Sequence, residues 1–363
     1  MPFARYYGGV DSTPLFVVLA AAYWRRTGDL ALIRDIWPQI EAALGWMALY
    51  GDPDGDGFLE YDRKSLNGLI NQGWKDSSDS VFHADGRLAD APIALAEVQA
   101  YAYAAYQGAA ELAAALGESD RGSVLAVAAE RLQDRFEQAF WLEDLGTYAI
   151  ALDGAKQPCR VSTSNAGHVL FGGLAAPDRA ARVAARLTGR AGFSRWGIRT
   201  VEETASRYNP MSYHNGSVWP HDNALIGMGF ARYGLREPLL RVLTALFDAS
   251  LFLADRRLPE LFCGFERRPG SSPTGYPVAC LPQAWASATV FGLLGALLGI
   301  SFDPAARQIR FTRPVLPTWM DECRISALRL GDAEIDLQLV RHDADVALHV
   351  LRRSGSIEVA VIN

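Results

Sequence analysis

Two acidic residues of this 363-residue chain stand in loops that are rich in aromatic and apolar side chains. Asp76 follows Trp74 and Lys75 in the stretch GLINQGWKDSSDSVFHADG, and Glu260 stands in RLPELFCG. Desolvation raises the pKa of a carboxyl group, as a general acid at neutral pH requires. Two carboxyl groups that flank a glycosidic bond are the minimum for hydrolysing it. A helix N-cap or a loop salt bridge is the alternative for each residue, but the aromatic neighbours favour a catalytic role.

Side chains that suit a sugar lie in the same loops and in three others. The C–H faces of a pyranose ring stack on indole and phenol rings, and its hydroxyls accept and donate hydrogen bonds. Any one Trp can instead be core filling, which we favour for Trp24, Trp37 and Trp46 on regular helices. The candidate polar contacts are Asp11, Gln72, His214, His221 and Asp222. The candidate aromatic contacts are Trp74, Tyr208, Tyr213, Trp219, Tyr276 and Trp285.

Metal and cofactor chemistry is poorly supported by the motifs. The His and Asp residues within 214–222 do not have a standard ligand spacing, so no catalytic metal is predicted. Asp52, Asp54 and Asp56 are spaced like the start of an EF-hand, but Arg63 stands where the twelfth-position acidic ligand is expected. A plain turn is therefore favoured over a Ca²⁺ site. The sequence has no GxGxxG, P-loop or GxSxG motif, and no cofactor is predicted.

The overall composition is that of an ordinary globular protein, with 50% hydrophobic and 21% charged residues. A net charge of −6 without a basic stripe argues against a nucleic-acid partner. Four sparse cysteines and an N-terminus without an apolar signal segment predict a cytoplasmic location. Residues 282–302 carry no charge over a length that could cross a bilayer, but Pro282 and several glycines favour a helix buried on all sides of a core.

Helical patterns of two kinds alternate along the chain. Segments that are apolar nearly all round lie near 13–25, 91–117, 163–172, 216–233 and 281–300. Segments with one charged face lie near 31–50, 120–140, 176–189 and 236–253. Short turns join each pair, which predicts a ring of helical hairpins, an all-α toroid with covered inner and half-exposed outer helices. A long loop rich in polar and aromatic residues precedes each of the five inner helices. We therefore expect these five loops to gather at one end of the ring.

The C-terminal part of the sequence has a different pattern. After Ser301, apolar and polar residues alternate between turn signals, which predicts antiparallel strands. We therefore divide the chain into a helical catalytic domain, 1–301, and a small β-rich appendage, 302–363.

Four blocks together resemble the bacterial glycogen-debranching-type, amylo-α-1,6-glucosidase-like proteins of the (α/α)6-barrel glucosidase group. They are YYGGVDSTPLF, GLINQGWKDSSDS, SYHNGSVWPHDNALI and LPELFCGFERR with YPVACLPQAWA. The resemblance implies an inverting glycoside hydrolase with an Asp acid and a Glu base. By motif position Asp76 would be the acid and Glu260 the base. The sugar subsite would be lined by Asp11, Trp74, Lys75, His214, Trp219 and Trp285.

The resemblance also raises a question of completeness, because a closed ring needs twelve helices and the patterns account for about nine. We expect an open ring, which a homo-oligomer or a partner chain would close. The favoured function is hydrolysis of an α-glucosidic bond in an α-glucan or short α-glucoside, without a cofactor. The alternatives are a hydrolase of a glucosylated small molecule, a trehalase-like enzyme, and an inactive sugar-binding fragment that needs additional helices.

Overall fold

Nine α-helices dominate the first three hundred residues in the computed structural model, which describes residues 8–343 and 345–362. The inner helices are α1 (Ser12–Thr27), α3 (Ala96–Leu116), α5 (Asn165–Gly172), α7 (Pro220–Arg232) and α9 (Ala284–Leu298). The outer helices are α2 (Leu30–Leu49), α4 (Ser119–Ala139), α6 (Pro177–Leu187) and α8 (Arg236–Ser250). Arg5, Tyr6 and Tyr7 of the first predicted loop lie outside the described residues.

The helices pack in the predicted alternating order. Helix α1 packs on α3, α3 on α5, α5 on α7 and α7 on α9, while each outer helix packs on the inner helix that precedes it. Helix α3 buries residues on all its faces, whereas α4 buries a single stripe. This arrangement is a helical toroid of five inner and four outer helices in the described part of the chain, without the closed sixfold ring.

Two glycines allow the inner helices to approach closely. A Cβ atom on Gly172 of α5 would lie 2.5 Å from the backbone oxygen of Ala100 in α3. A Cβ atom on Gly229 of α7 would lie 2.7 Å from the backbone nitrogen of Phe171 in α5. Because these neighbours are backbone atoms, only glycine fits without moving a helix.

The series of inner helices is open between its first and last members. No packing comparable to that of the neighbouring pairs joins α1 to α9 in the described residues, although strand β5 (Ile300–Asp303) contacts both. Leu19 of α1 is 68% exposed and Phe291 of α9 is 78% exposed. The prediction that α9 is buried on all sides is therefore wrong, because the helix lies at the edge of an open ring.

Short strands interrupt the helical part, which is thus not purely α. Strand β1 (Ala94–Leu95) pairs with β4 (Ala151–Leu152), and β2 (Trp141–Leu142) pairs with β3 (Thr147–Tyr148). Each ladder is two residues long, too short for an alternating pattern to be recognised in sequence.

The C-terminal part forms two three-stranded sheets, with β5 as the first strand. The other strands are β6 (Gln308–Thr312), β7 (Glu322–Leu330), β8 (Ala333–His342), β9 (Asp345–Ser354) and β10 (Glu358–Ile362). The order β7–β8–β9 is antiparallel as predicted, but β10 pairs with β6 in parallel. The division of the chain into domains at 301/302 stays a prediction. Among the described residues, no helix combines the length and apolarity needed to cross a membrane.

Candidate active site

The loops that precede the inner helices contact one another at one end of the toroid. The backbone N–H of Val10, before α1, donates to the Gln72 carbonyl at 3.0 Å. The Asn215 side chain, before α7, donates to the Asp79 carbonyl at 3.0 Å. Segments up to 136 residues apart in sequence therefore share one surface, as expected if the loops before the inner helices gather at one end of the ring.

The two candidate catalytic carboxylates come from different loops but lie within electrostatic range of each other. The Asp76 side chain is 51% exposed, whereas Glu260 is 7% exposed. Partial burial raises the pKa of the Asp76 carboxyl, and the negative charge of Glu260 raises it further. A raised pKa keeps a carboxyl group protonated at higher pH, which suits a proton donor.

Glu260 is held by two hydrogen-bond donors. The Tyr213 hydroxyl donates to Oε1 at 2.7 Å, and the backbone N–H of Cys280 donates to Oε2 at 2.9 Å. Both groups donate, so this geometry satisfies the carboxylate form, which is the form that accepts a proton from water. The arrangement gives Asp76 and Glu260 different environments, as an acid–base pair requires.

A neutral histidine lies beneath the acid. Burial lowers the pKa of His214 to about 3, so the ring does not form an ion pair with Asp76, whose Oδ1 lies 4.0 Å from Nδ1. Instead, Nδ1 accepts hydrogen bonds from the Ser77 backbone N–H at 3.3 Å and from its hydroxyl at 2.7 Å. His214 therefore orients the residue that follows the acid.

Aromatic rings form a wall around the carboxylates. His221 and Trp285 stack with ring centroids 3.8 Å apart, and Trp74 meets Trp219 edge-to-face at 5.7 Å. Tyr213 lies 5.5 Å from Tyr276. The predicted aromatic contacts are thus brought together, apart from Tyr208, whose hydroxyl donates to the Gly264 carbonyl at 3.4 Å and whose ring lies beside Arg199.

The floor of the site is a buried polar network. His168 Nε2 and Asp222 Oδ1 lie 2.6 Å apart, and the Tyr101 hydroxyl contacts the other ring nitrogen of His168. Within the described residues, Trp74 Nε1, His221 Nδ1 and Asp222 Oδ2 are buried without a hydrogen-bond partner. Buried polar atoms without a partner are uncommon, and a bound water molecule or a ligand hydroxyl would satisfy them.

The remaining predicted contacts lie nearby. Burial raises the pKa of the half-buried Asp11, and the charge of Asp76 raises it further. Gln72 is half-buried, and its side chain donates to the Leu69 carbonyl at 3.4 Å. Lys75 is fully buried, with its ammonium bonded to protein groups. This position favours a role behind the sugar subsite over the direct contact that the resemblance implies.

Sequence reasoning missed several polar residues of the floor. They are Glu97, Tyr101, Asn165 and His168, all on the inner helices α3 and α5. Their signal was present, since charged or polar residues in helices that are otherwise apolar on every face have to be buried.

The acidic loop with EF-hand-like spacing receives one positive charge from within the chain. The ammonium of Lys156 lies 2.9 Å from Asp54 and 2.6 Å from Asp56, and it also contacts Glu60. The carboxylates of Asp52, Asp54 and Asp56 are close enough together to hold a cation, but the lysine already supplies the positive charge.

Comparison with known proteins places this chain among glycoside hydrolases. Residues 7–257 match the family model of the mannosylglycerate hydrolase MGH1-like glycoside hydrolase domain. No curated protein matches the chain. Among solved structures, a GH78 family rhamnosidase of Bacillus sp. GL1 superposes with a TM-score of 0.68 at 16% identity, over 97% of this chain and 33% of its own. A sialidase gives 0.63 at 13% identity, over 94% and 32%.

A third solved structure is more similar in length. The GH63 mannosylglycerate hydrolase from Thermus thermophilus superposes with a TM-score of 0.55 at 17% identity, over 77% of this chain and 75% of its own. By contrast, this chain spans only about a third of the length of the rhamnosidase and of the sialidase. At these identities the three structures establish the fold alone.

Proposed function

We propose that this chain, which belongs to the mannosylglycerate hydrolase MGH1-like glycoside hydrolase family, hydrolyses an O-glycosidic bond with inversion at the anomeric carbon. The observation that carries the proposal is the pairing of Asp76 with Glu260 across two loops. Asp76 has a raised pKa that suits an acid, and Glu260 accepts hydrogen bonds from the Tyr213 hydroxyl and the Cys280 backbone N–H.

In the proposed reaction, Asp76 donates its proton to the leaving glycosidic oxygen as that bond breaks. Glu260 takes a proton from the water that attacks the opposite face of the anomeric carbon. An inverting pair needs about 6.5–9.5 Å between its carboxyl groups to admit this water. The aromatic wall stacks on the ring, and the unpartnered atoms of Trp74, His221 and Asp222 bind its hydroxyls.

We propose a neutral α-glucoside as the substrate. Asp76 lies within electrostatic range of both Asp11 and Glu260, so the described side of the cleft is acidic. The positive charge of Lys75 is buried and bonded elsewhere. A substrate with its own carboxylate would meet repulsion here. The motif resemblance to amylo-α-1,6-glucosidases supports an α-glucan or short α-glucoside.

A second candidate follows from the family and from the open ring. The relative from Thermus thermophilus is a mannosylglycerate hydrolase, so a small charged glycoside is the alternative substrate. The exposed sides of α1 and α9 favour the further alternative that the isolated chain binds sugar without turning it over.

The test is release of free sugar from a panel of glycosides by the purified protein. The panel contains maltose, isomaltose, panose, a limit dextrin, trehalose and mannosylglycerate. We expect glucose from at least one neutral α-glucoside. Asp76→Asn and Glu260→Gln should each lower kcat by at least about 100-fold, since each removes a proton-transfer group.

A matched control is Glu130→Gln, which removes an exposed carboxylate from α4 and should leave kcat unchanged. Proton NMR of the first product formed should show the anomer opposite to that of the substrate. Retention of configuration, or full activity in either active-site variant, would contradict the proposed roles. Turnover of mannosylglycerate alone would favour the charged alternative.

A further inference from the structure

We propose that Lys75 is a positioning residue, which fastens the loop carrying Asp76 to the inner helices through its ammonium group. The inference rests on the proposed function. The ammonium donates to Oδ1 of Asn165 in α5 at 2.6 Å and to the backbone carbonyl of Thr200 at 2.8 Å. One side chain thus ties the loop before α3 to two segments that follow far later in the chain.

The burial of Lys75 places its side chain away from the solvent-facing side of the loop, where we propose that the sugar binds. The residue is 3% exposed, whereas the side chain of Asp76, the next residue, is 51% exposed. The ring of Trp74 lies 5.1 Å from the Lys75 ammonium. The loop therefore turns Asp76 towards solvent and Lys75 towards the protein interior, so that any movement of the lysine is transmitted to the acid beside it.

Charged and titratable groups surround Lys75 on α3, on α5, on α7 and on the loop before α7. Glu97 of α3 and Asp222 of α7 are buried carboxylates that favour the charged ammonium. His168 of α5 lies within electrostatic range of Glu97. His214 and His221 lie within electrostatic range of the Lys75 ammonium. Burial is the main reason why the pKa of His214 and His221 falls to about 3, and Lys75 lowers both further.

Removing the ammonium would therefore disturb more than one contact. It would leave the Asn165 and Thr200 oxygens without their donor, and it would remove a positive charge that favours the ionised forms of Glu97 and Asp222. Unpaired buried polar groups are costly, and the loop would relax to reach other partners. Asp76 would move with the loop, although its carboxyl group would still be able to donate a proton.

With rising pH, kcat and the contribution of Lys75 to folding stability should change in opposite directions. Burial lowers the pKa of Lys75 to about 8 from its ordinary 10.5. The ammonium becomes a neutral amine as pH rises through 8, and its two hydrogen bonds lose the strength that the positive charge gives them. The positioning, and with it kcat, should therefore decline there. The unfolded chain binds more protons than the folded chain between pH 8 and 10.5, so the contribution of Lys75 to folding stability should increase over the same interval.

The test compares Lys75→Met with Lys64→Met, which removes an exposed lysine whose side chain is 85% exposed. We expect Lys75→Met to lower kcat by roughly 10- to 100-fold with KM within about twofold, because misplacement of a catalytic group by an ångström has effects of this size. The decline of kcat near pH 8 should be absent from Lys75→Met and present in Lys64→Met. Asn165→Leu, which removes the acceptor instead, should reproduce the kcat defect.

Hydrogen exchange distinguishes a failure of this inference from a failure of the proposed function. If the unmodified chain hydrolyses no glycoside, the amides of residues 71–80 should still exchange faster in Lys75→Met than in Lys64→Met. Equal exchange in the two variants would overturn the positioning role. A rise of KM with unchanged kcat would also overturn it, because it would make Lys75 a sugar contact. A parallel fall of folding stability and kcat above pH 8 would also overturn the positioning role.

Discussion

Cys280 places a thiol beside the carboxylate that we propose as the base. Its backbone N–H donates to Glu260, its side chain is exposed, and the charge of Glu260 raises the pKa of the thiol. Alkylation by iodoacetamide should therefore inactivate the protein by blocking the site. Because the thiolate is the reactive form, inactivation should be slow at neutral pH and should accelerate as pH rises past 9.

Single substitutions check which thiol is responsible. Cys280→Ser should resist iodoacetamide, whereas Cys323→Ser should be inactivated like the parent, since Cys323 lies in β7 of the C-terminal part. Mass spectrometry measures the modified fraction at each position alongside residual activity. Full activity with Cys280 completely alkylated would show that this loop leaves the site open.

At the residue scale, sequence reasoning identified side chains by the loops they occupy but not by the direction they face. Asp76 and Glu260 were recognisable because an acid among aromatic residues is unusual. Lys75 stands next to Asp76 in sequence yet points to the opposite side of the loop. The sequence of an irregular loop has no period that assigns its side chains to faces, so this difference needed the structure.

At the element scale, the inner helices depend on glycine where two backbones meet. Gly229→Ala should lower the free energy of unfolding by about 1–3 kcal/mol, because the added methyl group has to displace α5. Its Cβ would lie 2.7 Å from Phe171 N and 2.9 Å from Leu170 Cβ. Denaturant unfolding followed by circular dichroism measures the change.

Gly45 provides the matched control within α2. A Cβ atom there meets nothing within 4 Å, so Gly45→Ala should raise the free energy of unfolding by roughly 0.5–1 kcal/mol through helix propensity alone. Equal effects of the two substitutions, of either sign, would mean that close packing at Gly229 does not limit stability.

The order of helices could be predicted because covered and half-exposed helices differ in hydrophobic pattern. The parallel pairing of β6 with β10 could not be predicted. Alternation indicates that Gln308–Thr312 is a strand, but it does not identify the strand some fifty residues away with which it pairs. The exposure of α9 was missed for a similar reason. A helix that is apolar all round has the same composition in a closed core and at an open edge.

At the scale of the whole molecule, the open edge of the toroid predicts association. Leu19 and Phe291 are large exposed apolar side chains on the first and last inner helices. We expect sedimentation velocity to show concentration-dependent self-association, because burying such surface is favourable. The double substitution Leu19→Glu with Phe291→Glu should shift the protein towards monomer.

The control places the same charges on an outer helix. Val124 and Val127 of α4 are 59% and 42% exposed, and Val124→Glu with Val127→Glu should leave association unchanged. A parent protein that stays monomeric over the whole concentration range would rule out self-association as the way in which the ring closes.

The meeting of distant loops at one end of the toroid has a consequence for how the molecule comes into being. Asp76 leaves the ribosome before Tyr213, Glu260 and Cys280. Lys75 cannot be bonded before Asn165 and Thr200 have emerged. A nascent chain therefore holds Asp76 in an unfastened loop until Thr200 has been synthesised, and the carboxylate pair is complete only after Glu260 has followed.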